Sequence, residues 1–106
     1  MSKYVLIYNG GGMPATEAEQ KQAMQAWEAW FGKLGKAVVD QGDPFTPNVK
    51  SIASGGSITN GAATGPATGY SIIEASSLDE AVKLAKGCPV LQVGAQISVF
   101  ETAGMM

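Results

Sequence analysis

One stretch constrains the fold more than any other. Gly69 to Pro89 reads strand, cap, helix and stop in a single pass. Tyr70, Ile72 and Ile73 supply the aromatic and β-branched bulk that suits a half-buried pleated strand. Ser77 followed three residues later by Glu80 has the spacing of a capping box, in which two otherwise unpaired backbone N–H groups are satisfied reciprocally. Leu78, Ala81, Val82 and Ala85 then recur at helical spacing. Gly87 is expected to take the left-handed conformation that ends helices, and Pro89 prevents continuation. A further strand, Ala95 to Glu101, follows, with Ile97, Val99 and Phe100 as candidates to pack inward.

A matching unit opens the chain. Lys3 to Tyr8 reads as a strand, broken by Asn9-Gly10-Gly11-Gly12-Met13-Pro14. Thr16 with Glu19 is a second capping box, and Glu17 and Glu19 suit the positive end of a helix dipole. Ala23, Met24, Trp27, Trp30, Phe31 and Leu34 form the apolar stripe of that helix. It is expected to end near Leu34, with Ala37 to Asp40 as a strand. The alternative is that it runs on to Val39, because Val38 continues the stripe. Lys50 to Ala53 and Ser57 to Thr59 flank Ser54-Gly55-Gly56 as a hairpin, and Asn60 to Thr68 reads as a loop. The sum is β-α-β, hairpin, β-α-β: an α+β, ferredoxin-like sandwich in one domain over residues 1–106. Two helices can cover only one sheet face. If the other face carries Val5 or Leu6 and Ile72 or Ile73, a homodimer pairing the two open faces is the simplest cover.

Composition removes whole function classes. Net charge is −2 and the seven basic residues are scattered, which gives no electrostatic footprint for nucleic acid. No apolar run approaches the roughly 18 residues of a membrane span, and no signal-peptide pattern opens the chain, so no membrane partner and a cytoplasmic location are expected. There is no histidine and a single cysteine, so neither a metal nor a cofactor is expected. Gly10-Gly11-Gly12-Met13-Pro14-Ala15 formally fits a dinucleotide fingerprint. Pro14 and the Thr16 cap, however, start the helix after the glycines, so its N–H groups cannot face a pyrophosphate there.

The candidate chemistry is sparse. Cys88 follows a helix C-terminus, where the dipole disfavours a thiolate, and reads as a buried small hydrophobe ahead of a nucleophile. Asp43 before Pro44 reads as a turn-former. Asp40, at the end of an apolar strand, is the better site candidate, since a carboxylate beside a dry cleft can act as a base. Tyr8 and Tyr70 sit on strands expected to be central and adjacent, so both hydroxyls are expected in one cleft. Trp27, Trp30 and Phe31 span too wide an arc to face one way, so one tryptophan is expected at the edge of the stripe, lining a cleft. The expected ligand contacts are Tyr8, Trp30, Asp40, Pro44 and Tyr70, the catalytic candidates are Asp40, Tyr8 and Cys88, and Lys36 and Lys50 are the nearest cations for an acidic ligand.

Taken together, the opening Lys3-Tyr4-Val5-Leu6-Ile7-Tyr8, Trp27 to Gly35, Val38 to Pro44, Gly69 to Ala75, Leu78 to Ala81 and Gly87-Cys88-Pro89 resemble the YCII-related (DGPF) family over nearly the whole chain. The resemblance implies a dimeric α/β-barrel of ferredoxin-like subunits with a cleft between sheet and loops. It further implies, for a few relatives, action on small ring-derived or muconate-like acids through a His–Asp pair. This chain has no histidine, carries Cys88-Pro89 where the family has Asp-Pro, and keeps only Thr59-Asn60-Gly61 of the Thr-Asp-Gly-Pro-Phe signature. Two function classes stay open. One is a binding protein for a small acidic or aromatic-derived molecule; the other is a histidine-free enzyme using Asp40 or a tyrosine.

Overall fold

Alternation along two strands decides the architecture. β1 (Ser2–Asn9) turns Tyr4, Leu6 and Tyr8 to one face, where all three are buried, and leaves Val5 and Ile7 half-buried on the other. β5 (Ala67–Ala75) runs antiparallel to it and places Ser71, Ile73 and Ala75 on the same buried face. Burying a side chain the size of Leu6 or Ile73 stabilises the fold by about 1.5–3 kcal/mol. This is a computed structural model that describes residues 1–11, 16–63 and 67–104.

β2 (Val38–Asp40) and β6 (Gln96–Glu101) complete a four-stranded sheet in the order β2-β5-β1-β6, every neighbouring pair antiparallel. β3 (Lys50–Ile52) and β4 (Ile58–Asn60) pair with each other as a separate two-stranded sheet, and Ile52 and Ile58 are left exposed. The chain is therefore α+β, with antiparallel sheets and, among the described residues, two α-helices, α1 (Glu17–Leu34) and α2 (Leu78–Ala85). No described helix is long and apolar enough to cross a membrane.

Both helices start as their caps dictate. Thr16 Oγ1 accepts from the Glu19 N–H and Ser77 Oγ from the Glu80 N–H, each at 3.1 Å. The second box closes differently from its ideal, because the Glu80 carboxylate takes the hydroxyl of Ser76. α1 ends at Leu34; Gly35 turns the chain into a short 3-10 segment (Gly35–Ala37) and then β2, so the helix does not run on to Val39.

Gly87 departs from expectation. It has no positive φ, so it is not the left-handed terminator of α2. Its role is space: a Cβ there would lie 3.3 Å from the indole of Trp30, whose Nε1–H donates to the Leu84 carbonyl at 3.2 Å. Phe100 also departs. Ile97 and Val99 pack against the core, whereas Phe100 pairs with Val5 on the face that the helices leave open and is 57% exposed. Val5, Ile7, Tyr70, Ile72 and Phe100 make that open face aromatic and aliphatic.

Candidate functional site

The site arises where α1 fails to close on the sheet. Of its apolar stripe only Trp30 is buried; Met24 is 65% exposed, and Ala23, Trp27, Phe31 and Leu34 are half-buried. Trp27 meets Tyr8 edge-on at 5.5 Å between ring centres and lies 5.7 Å from both Trp30 and Phe31. This aromatic group props the helix above the sheet and encloses, with the ends of β1 and β5, a cavity of about 850 Å3. Ala23, Met24, Trp27 and Phe31 form its helical wall and Tyr8 and Ser71 line its sheet side. The segment Gln41 to Phe45 closes one side and the 3-10 segment Pro89–Val93 another.

A chain of hydrogen bonds stiffens the sheet side. Ser71 Oγ–H donates to the Gln41 carbonyl at 2.7 Å, and the Tyr8 hydroxyl donates to Ser71 Oγ at 2.7 Å. The direction is fixed because a carbonyl can only accept, which commits the Ser71 proton and leaves its oxygen to receive Tyr8. Burial pushes the Tyr8 hydroxyl well above its ordinary ionisation range, only partly offset by Ser71. Gly42 makes this turn possible. It has φ +78, and a Cβ would fall 1.7 Å from the Tyr70 carbonyl oxygen, a distance no side chain tolerates. β2 thereby breaks its pairing after Asp40 and resumes beside β5 at Pro44, which bridges Gly69.

The expected site residues separate. Tyr8 and Pro44 line the cavity. Trp30 does not: its side chain is inside the core, and Trp27, one turn earlier and about 60° round the helix, takes the lining position. Asp40 is exposed and outside the lining; its carboxylate accepts from the Gly42 N–H at 2.9 Å and from the Tyr70 hydroxyl at 3.1 Å. It serves as a turn cap beside the open sheet face. Tyr70 borders the cavity, yet its neighbour in register is Ile7, whereas Tyr8 stands opposite Gly69. The two tyrosine side chains therefore leave opposite faces of the sheet, because residues one step apart along a strand alternate. Tyr70 stacks on Phe45 at 5.9 Å, and its bond to the Asp40 carboxylate raises its ionisation range.

Cys88 is buried, outside the lining, and burial raises its thiol above the ordinary range. Lys36 and Lys50 are exposed, and neither reaches the cavity. Among the described residues no three His, Cys, Asp or Glu side chains converge to hold a metal. Residues 12–15 of the glycine-rich loop lie outside the described residues, as do 64–66 of the second loop.

Ser71 is the residue that sequence reasoning passed over. Its signal was present: alternation puts it in line with Ile73 and Ala75, so it is a polar residue at an inward position. Compared with models of known families and with curated proteins, the chain matches none.

Proposed function

We propose that the chain is a small-molecule binding protein whose ligand sits between α1 and the sheet. The carrying observation is the cavity of about 850 Å3 with Trp27, Phe31 and Tyr8 around it and the Tyr8–Ser71 pair at its base. Cavities of this volume, mostly apolar and with a few fixed polar groups, are the usual setting for small organic ligands. An aromatic body matches three aromatic side chains arranged edge-on and tilted, which leave ring faces to stack on. Binding is better supported than catalysis. Asp40 lies outside the cavity, and Tyr8 is held protonated by burial with its proton already committed.

The same reading includes a ferredoxin-like, YCII-like subunit that pairs as a homodimer. The strand order β2-β5-β1-β6 supports the first part. The open face bearing Val5, Ile7, Ile72 and Phe100 supports the second, since a contiguous apolar surface left in water favours a partner. Sedimentation at micromolar concentration tests it, and a stable monomer counts against the pairing.

The ligand test uses 2-naphthalenemethanol, a neutral aromatic probe, followed by NMR of the two indole N–H signals. The Trp27 signal is expected to shift on titration while that of Trp30, bonded to Leu84, stays in place. Asp40→Asn leaves the titration unchanged and Trp27→Ala weakens binding as measured by calorimetry. No shift at Trp27, or equal affinity in Trp27→Ala, removes the cavity as the binding site.

A further inference from the structure

We infer that the cavity selects its ligand by charge and takes an aromatic or apolar organic cation, such as an amine, in preference to an organic acid. This rests on the binding function proposed above and concerns the sign of the ligand. Three independent features of the lining point the same way.

The first is the charge inventory. No lysine is among the described lining residues, whereas Glu28 on α1 and Asp43 on the segment after β2 both are. A carboxylate ligand entering this space would shed hydration without meeting a cation, and would do so between fixed negative charges. A cleft lined by one sign of charge instead concentrates counter-ions of the other.

The second is the state of the hydroxyls. Tyr8 donates to Ser71 and Ser71 donates to the Gln41 carbonyl. Thr68 Oγ1 lies 3.2 and 3.0 Å from the carbonyl oxygens of Tyr8 and Gly10, which can only accept. Every one of these lining hydroxyls spends its proton inside the protein, so what they still present is oxygen lone pairs. Lone pairs match an ammonium group, which is donor-only, and mismatch a carboxylate, which is acceptor-only. The lining glutamines, able to do either, do not bias the choice.

The third is the aromatic wall. Trp27 and Phe31, half-buried beside the cavity, carry π-systems whose faces attract cations, tryptophan most strongly. The anion expected from Lys36 and Lys50 has no support in the geometry, because both lysines lie away from the cavity.

The test compares three probes of one shape: 2-naphthylmethylamine, protonated at neutral pH, 2-naphthalenemethanol and 2-naphthoate. Calorimetry on the full chain at low salt is expected to rank them amine, alcohol, acid. Because exposed charges act individually at the level of a fewfold, the amine is expected to bind about tenfold more tightly than the acid. Glu28→Gln with Asp43→Asn should shrink that ratio to about threefold while leaving the alcohol unchanged. Added salt should compress the ratio in the same direction. If the alcohol binds and the acid binds as well as the amine, the charge selectivity is wrong and the cavity stands as a binding site. If none of the three binds, the selectivity falls together with the binding function. An amine preference that survives the double substitution at full size refutes the role given to the rim carboxylates.

Discussion

α2 and α1 rest on the same face of one sheet and meet it in opposite ways. α2 has only eight residues, yet Ala81 and Ala85 are buried flush against the strands. α1 has eighteen residues and buries one, Trp30. The difference lies in the side chains at the contact. Methyl groups let a helix settle directly on a sheet, because little volume separates the backbones. Trp27, Trp30 and Phe31 hold the helix off, and beyond the reach of their rings nothing fills the gap. Length and a well-formed cap thus make a helix; the size of its contact residues decides whether it closes a core or roofs a cavity.

The comparison is easiest to break at Trp30, the single buried anchor of α1. Trp30→Ala is expected to cost about 3–5 kcal/mol in denaturant unfolding, since it leaves a large void and removes the indole N–H bond to the Leu84 carbonyl. A cost near zero would mean that α1 does not depend on this anchor. The next contrast uses one substitution in both helices. Ala81→Leu overpacks a closed contact and is expected to cost about 1–3 kcal/mol. Ala26→Leu adds the same atoms beside the cavity, where the change should stay within about 0.5 kcal/mol while ligand affinity drops. Equal costs at the two alanines would show that the space beneath α1 is closed.

The smallest expected effect is in pH. Burial raises both Cys88, from an ordinary value of 9.0, and Tyr8, from an ordinary value of 10.0. Each acid keeps its proton more tightly folded than unfolded. The stability they contribute is therefore fully present below the ordinary values and is lost as pH rises towards the raised ones. Thermal melts should be flat near neutrality and decline from about pH 9 upward. Tyr8→Phe should flatten the part of the decline above about pH 10, and an unchanged slope would place the alkaline sensitivity elsewhere.

The open sheet face contrasts with both helical contacts. There Tyr70, Phe45 and Asp40 form a local cluster through a ring stack and a hydrogen bond. Asp40 illustrates what sequence position leaves undetermined. Its place at the end of an apolar strand suggested a dry carboxylate, yet the register shift between Val38 and Asp40 and the turn at Gly42 leave its side chain bonded to Gly42 and Tyr70 in an exposed turn. Trp30 and Trp27 show the same limit. Helical spacing put one tryptophan at the edge of the stripe, and only the approach of Leu84 and Gly87 selected Trp30 for the interior.

Local signals determined which stretches form the main strands and helices, although β5 begins at Ala67, inside the expected loop of Asn60 to Thr68. The two caps at Thr16 and Ser77, the stop at Gly35 and the alternation of β1 and β5 act between residues a few positions apart, so their physics is complete within the sequence. The tertiary structure decided which face Tyr70 shares, that Gly87 yields space in place of a turn, and that Ser71 and Tyr8 meet across 63 residues of chain. It also decided that a cavity stands under α1. Those outcomes depend on strand register and on the volume left between helix and sheet, and both are set only when distant segments pack together.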